Sequence, residues 1–428
     1  MPERRPATRP ATLTREVRRD VRLLIGAQSI STFGSFITRS ALPLLAIIGL
    51  HIGAAEAALL AAADLIAAAL VSQVAGVWVD RLPRRPVLVA ADLFRAALLA
   101  SIPAAAALAG GVSLPHLIAV SALSGATTTI FDIGERSYLA GLVDAPALRA
   151  VLGQVLAIRG AAEFFGFGAA GILITHVGGP AAIGIDALTY LVSALVLAGL
   201  RVREPALPPA SARRTVRNEL ADGLGRTWAV SILRPLLASA FVVGVYFGLF
   251  RSSYLLFLAN GLHLQPDAIG WIAAIGGLAA LGGGALTEPL SRALGAGRAI
   301  AVSLGFVGIG LALVPTAALL PAAALPLLVG HQLLSDGFEV VWEANQGAIR
   351  GRVIPAAYQG RANAAFDGVG ILGRLCGIVA GGVIGSSAAG SGAALLVGGA
   401  AAVLVGLSIG LGAIGRVHNV GDLPAARA

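Results

Sequence analysis

The chain has 428 residues, of which 57% are hydrophobic and 12% charged, with a mean hydropathy of +0.85. A soluble domain has no use for so much apolar surface, whereas a membrane protein with many spans does. The formal charge of +9 comes entirely from arginine, and those arginines flank apolar runs, which argues against nucleic acid as the partner. Without lysine the chain lacks the phosphate-binding residue of a P-loop and has no ATPase site of its own.

A membrane helix takes roughly 20 apolar residues, so the chain has room for about twelve with short loops. Residues 1–21 read as a basic, disordered cytoplasmic tail, followed by an uncleaved first span and not by a signal peptide. Six spans are predicted near 22–48, 54–79, 86–109, 115–141, 152–175 and 179–200, the first bundle covering 22–200. Residues 201–234 form a polar linker in which Asn218–Trp228 has helical spacing, predicting an amphipathic helix on the inner membrane surface. Six further spans are predicted near 235–258, 266–288, 297–317, 322–347, 362–385 and 391–414, making a second bundle over 235–414, with a short tail over 415–428. The fold expected is all-α: twelve transmembrane helices in two pseudo-symmetric six-helix bundles.

Arginine counting sets the orientation. Arg81, Arg84, Arg85, Arg149, Arg213, Arg214, Arg217, Arg292, Arg298, Arg350, Arg352 and Arg361 sit in the tails and alternate loops. The loops near His51, Gly111, Gly178, Gly261, Pro321 and Ala388 carry none. Both termini are therefore expected in the cytoplasm and the protein in the inner membrane. The halves also repeat. Arg39-Ser40 matches Arg251-Ser252 at an offset of 212; Gly76, Asp80 and Arg84 match Gly284, Glu288 and Arg292 at 208; Phe131-Asp132 matches Trp342-Glu343 at 211. Duplicated bundles around a cavity are a transporter plan.

The connector from Gly76 to Arg95 organises this reading. Gly76 permits close backbone approach, Asp80 is placed to cap a helix or pair with arginine, and Arg81, Arg84 and Arg85 hold the loop in the cytoplasm. The pattern Gly-x3-Asp-Arg-x2-Arg-Arg resembles the signature loop of the major facilitator superfamily. Asp92-x2-Arg95, Ile185–Ala194 and Gly360–Ala364 resemble its enterobactin-exporter and macrolide-efflux branch. The resemblance implies secondary-active export by rocking of two halves. Gly166, Gly168 and Gly171 lack the proline that accompanies such a run in many drug exporters. They also fit Gly-x-Gly-x-x-Gly, but inside an apolar span this reads as close helix packing and not as a dinucleotide site.

An ionisable group at mid-bilayer costs roughly 2.5–3.5 kcal/mol on insertion scales, so the many intramembrane charges should face a wet cavity or one another. They are Arg39, Asp64, Asp132, Glu135, Glu163, Asp186, Arg251, Asp336, Glu339, Glu343, Asp367 and Arg374. At 1.5 Å per residue, Arg39 and Asp64 come to similar depth within about one turn, which predicts an Arg39–Asp64 pair or a shared substrate site. Asp336 is the first-choice partner of Arg251. Asp64 and Glu163 rank equally as proton-coupling carboxylates. Gly76, Asp80, Arg81, Arg84, Arg85, Asp132, Glu343 and Asp367 are assigned to a cytoplasmic latch that holds the outward-open state.

Six histidines are scattered, mostly toward outer loops, and Cys376 is the single cysteine, so no metal site or internal disulfide is expected. No cofactor and no enzymatic chemistry is implied. The expected function is export of a small amphipathic molecule (a drug, siderophore or secreted metabolite) by a monomer exchanging it for protons across the lipid bilayer. Import or facilitation on the same fold is the alternative, and a non-transporting sensor or assembly partner a third.

Overall fold

The computed structural model describes residues 15–79, 82–143, 145–202, 224–225, 227–355 and 358–423. Twelve long helices follow one another, with no strand among the described residues. The first six are α1 (Arg15–Leu44), α2 (Ala54–Val79), α3 (Arg84–Leu108), α4 (Leu114–Leu142), α5 (Ala145–Val177) and α6 (Gly179–Ala198). The second six are α7 (Leu233–Leu256), α8 (Pro266–Leu294), α9 (Ala296–Leu319), α10 (Ala324–Val353), α11 (Gln359–Gly385) and α12 (Gly390–Leu411). Eleven are long and apolar enough to cross a membrane on their own composition. The other is α10, where Asp336, Glu339 and Glu343 share one face by spacing of three and seven residues.

Each half packs on itself, α2 against α4 and α3 against α6 in the first, α7 against α11 and α9 against α12 in the second. The halves meet along two seams, α2 with α11 and α5 with α8. Helices alternate in direction, so one end of the molecule carries the described chain ends and most arginines; the opposite end is called the far end below. At the far end small residues bring backbones together. A Cβ on Gly270 would lie 2.7 Å from the Gly171 Cα, and one on Gly382 or Gly385 would lie 2.7 Å from the Cβ of Ala58 or Ala54. Seam contact continues to mid-depth, where a Cβ on Gly277 would lie 3.0 Å from the Phe164 nitrogen. This is the packing that small-residue helix faces make possible.

The first helix of each half ends alike. α1 widens into a π-turn over Leu45–Gly49 and α7 into one over Phe257–Gly261. The Ile52 and Leu264 nitrogens then donate back to Ala46 and Leu258 at 3.4 and 3.0 Å, pairs related by the same offset of 212. Pro43 in α1 has Leu255 as its counterpart, so the proline is not what widens the helix.

Two expectations about the ends change. Residues 15–21 belong to α1 and are not a loose tail; Asp20 is buried and accepts from the Arg201 and Val202 nitrogens at 2.8 and 2.7 Å, pinning the exit of α6. The tail after α12 folds back, and its Val417 and His418 carbonyls accept from Gly297 and Ala296 at 2.9 and 3.1 Å, satisfying the orphan N–H groups at the start of α9. The expected linker helix falls mostly on residues 203–223 and 226, outside the described residues.

Candidate functional site: a charged cleft at the seam

Asp64 on α2 and Arg251 on α7 form an ion pair across the two halves. Their side chains are 33% and 47% exposed, so the pair is neither sealed in a core nor fully in water. The sequence reading paired Asp64 with Arg39, and Arg251 with Asp336. The depth estimate was sound, but depth says nothing about rotation around the helix, and rotation gives Asp64 to Arg251. Arg39 on α1 is also solvent-accessible and lies within electrostatic reach of Asp64, Glu163, Arg159 and Arg251. Groups from α1, α2, α5 and α7 therefore share one field.

Asp64 reaches this place because α4 gives way at Gly125, whose Cα faces the Asp64 carboxylate and carbonyl. The second half repeats the contact with the partners exchanged. There the carboxylate is Asp336 on α10, and the glycine is Gly276 on α8, with the Gln332 amide beside it. Gly276 stands 212 residues after Asp64, and Asp336 stands 211 after Gly125. Each half thus presents one carboxylate from the same helix–helix contact. Asp336 lies in the field of Glu163, and Glu339 in the fields of Asp336, Glu343, Glu163 and Arg374, extending the charged lining toward the arginine-rich end.

Aromatic rings border these charges. Phe36 and Phe167 meet edge to face at 5.1 Å, and the Arg39 guanidinium sits 5.0 Å from the Phe36 ring. On the other half Phe250 stacks on Tyr254 at 4.5 Å, and Arg374 lies 5.6 Å from the Phe247 ring. A surface of rings, guanidinium groups and carboxylates suits a ligand with an apolar body and a polar or charged head.

The residues assigned to the latch divide. Asp80 and Arg81 lie outside the described residues, and Gly76 lies within α2. The Arg84 Nε donates to Ser137 Oγ at 3.0 Å and Arg85 donates to the Ala198 carbonyl, both within the first half. Asp132, Glu343 and Asp367 are solvent-exposed and make no ion pair among the described residues. Arg292 and Glu288, counterparts of the signature loop in the second half, pair with each other on α8.

The sequence reading missed a sealed polar core in the first half. Asp92 and Arg95 on α3 form an ion pair, Asp92 fully buried, and Ser193 on α6 donates to Asp92 at 2.5 Å. The Arg95 guanidinium lies 4.4 and 4.3 Å from the Phe131 and Tyr190 rings. Asp186 is fully buried, within electrostatic reach of Arg95 but in no ion pair among the described residues; it accepts from Thr38 at 2.5 Å and from Thr189 at 3.0 Å. Glu135 accepts from Gln28 at 2.8 Å. The signature residues of the third and sixth helices are thus the ones that bolt α3 and α1 onto α6. In the second half His331 is buried in α10, hydrogen-bonded to Ser335 at 3.1 Å and packed against Tyr254, not in a loop.

Two duplicated six-helix bundles meeting along a charged seam define a membrane protein built on the parallel-repeat plan. The sequence profile of the Major Facilitator Superfamily matches residues 24–330, well over half of the sequence, and the chain belongs to that family. It is similar to the multidrug efflux pump Tap of Mycobacterium tuberculosis (strain ATCC 25618 / H37Rv), with 26% identity over 232 residues. That match covers 52% of this chain and 55% of the pump, so the chain spans about half the length of this relative. Among solved structures it is similar to a bacterial homologue of the iron transporter ferroportin in the inward-facing state, with a TM-score of 0.73, 18% identity, and 92% and 98% of the two chains covered. An auto-inhibited peptide transporter of the POT family matches with a TM-score of 0.73, 15% identity, and coverage of 95% and 99%. These neighbours show the fold.

Proposed function

We propose that the protein exports a small amphipathic molecule across the cytoplasmic membrane in exchange for protons, by rocking its two halves about the seam. The observation that carries this reading is the Asp64–Arg251 pair, which joins the halves through partly exposed charges. Exposed ion pairs are worth about 0.2–1 kcal/mol, an attraction small enough to be made and broken in each cycle. The partial likeness to a multidrug efflux pump supports the direction and the breadth of cargo. The arginine-rich end is the cytoplasmic one. With the far end closed by glycine packing, the present arrangement is the cargo-loading state, open toward the cytoplasm.

In this scheme Asp64 and Glu163 are the proton-coupling candidates, and Arg39, Arg251 and Asp336 bind cargo or tune the coupling group. Protonation of Asp64 releases Arg251 and frees the halves to move. When the cytoplasmic side closes, Gly76, Asp80, Arg81, Arg84 and Arg85 come together with Asp132, Glu343 and Asp367 as the latch of the outward-open state. The test is uptake of a fluorescent amphipathic dye into inside-out vesicles under an imposed proton gradient. Accumulation that collapses with the gradient supports proton-coupled export; accumulation indifferent to the gradient rejects it.

A further inference from the structure

A second cavity, separate from the charged cleft, lies at the far end between the halves. It has a volume of about 550 Å³, within the range of small-molecule sites, and is open to solvent, its His51, Asn260, His263 and Gln265 being exposed. The ends of α1, α5 and α6 wall one side; the end of α7, the turn after it and the start of α8 wall the other. Leu45, Ile48 and Ile174 supply an aliphatic surface, and His51, Asn260, His263 and Gln265 supply polar groups. None of the lining residues is acidic.

The two histidines are related by the repeat. His263 stands 212 residues after His51, the offset that relates Arg251 to Arg39. Each follows the π-turn that ends the first helix of its half, and each has positive φ, 54° and 53°. Among the described residues they are the non-glycine residues with positive φ. Such a conformation costs of order 1 kcal/mol for a residue with a Cβ, and glycine would adopt it freely. Here the same side chain is held in the same strained turn twice, and both copies line one cavity.

We propose that this cavity is a second ligand site, for molecules with an aliphatic body and a carboxylate or carbonyl head, and that its occupancy holds the far end closed. Imidazole and amide N–H groups from His51, His263, Asn260 and Gln265 are donors to such a head, with charge-assisted bonds when it is a carboxylate. The aliphatic wall takes the body. Both halves contribute walls, so the site is complete only while the far ends of α5 and α8 stay packed, and its ligand binds the closed far end in preference. This rests on the reading above in one respect, that the far end faces outward. An exported molecule or lipid fragment of this chemistry then returns from outside as a brake on opening.

The experiment measures the gap and not transport. Spin labels on Gly111→Cys and Ala388→Cys, in a Cys376→Ser background, report the far-end separation in proteoliposomes. Decanoate is titrated, and decyltrimethylammonium serves as the control of equal chain length and opposite head charge. Decanoate is expected to shift the distance distribution to the short population, and the ammonium compound is not. His51→Gly/His263→Gly suits the backbone and removes both imidazoles, and should raise the decanoate midpoint by about tenfold, the loss of two hydrogen bonds. Thr175→Trp, which fills the cavity, should abolish the response. Equal action of both amphiphiles, or an unchanged midpoint in both variants, overturns the site. Contraction by decanoate in a protein that moves no cargo leaves the site standing and removes the export reading instead.

Discussion

Asp64 and Asp336 occupy the same contact in the two halves from opposite sides of it. Asp64 reaches from α2 onto Gly125 of α4, and Asp336 reaches from α10 onto Gly276 of α8. This one helix–helix contact admits a carboxylate in each half. This chain has filled both places, once from each of the two helices concerned. Asp64 also gains Arg251, while Asp336 sits in the field of Glu163, so the two carboxylates are not equivalent.

That asymmetry predicts different phenotypes. Asp64→Asn removes the charge that holds Arg251 and should lower proton-driven efflux by about two- to fivefold, with membrane insertion unchanged, since a partly exposed pair is worth about 0.2–1 kcal/mol. Vesicle efflux at matched expression measures it. Asp336→Asn leaves the inter-half pair in place and should change cargo affinity more than maximal rate.

Adding a methyl group at the glycine tests the contact without touching a charge. Gly276→Ala places a Cβ into the Asp336 carboxylate, and Gly125→Ala into Asp64. Overpacking of this kind costs about 1–3 kcal/mol. Both variants should unfold at lower temperature in detergent, and a Gly276→Ala protein carrying Asp336→Ala should recover most of the loss.

The buried pair in the first half is structural and should behave as such. Arg95→Ala leaves the fully buried Asp92 without its cation, at a cost of about 3–5 kcal/mol. Asp92→Leu combined with Arg95→Met should be less damaging than Arg95→Ala alone. Thermal unfolding of the purified protein in detergent separates the two.

Far-end packing sets the resting state. Gly270→Leu drives a side chain into the Gly171 backbone and the Phe167 carbonyl. It should bias the molecule toward an open far end, seen as a longer distance between labels at positions 111 and 388.

Much of the plan was legible in the sequence because it rests on periodicity and on where arginines fall. The twelve helices, the two bundles and the internal repeat follow from apolar run length and from offsets near 212. The partners of the charges did not follow. Arg39, Asp64 and Arg251 lie at comparable depths, and a linear sequence carries depth but not the rotation and tilt that choose between neighbours. The role of Asp92 and Arg95 was hidden for a related reason. Their spacing of three residues puts them on one helix face, but only the packing of α3 on α6 shows that the face is sealed. The glycines opposite Asp64 and Asp336 were invisible among the chain's 56 glycines. The tail folding onto α9 depends on backbone carbonyls, which no side chain announces.

The central claim is that the charges within the membrane line a water-filled cleft between the halves. Arg39→Cys in the Cys376→Ser background, treated with a membrane-impermeant maleimide, tests it most directly. The account predicts rapid labelling in inside-out vesicles, where the reagent meets the arginine-rich end, and little in intact spheroplasts. A cysteine at position 39 that stays unlabelled in both, yet reacts once the protein is unfolded, would show that this position sees no water, and the cleft would have to be given up.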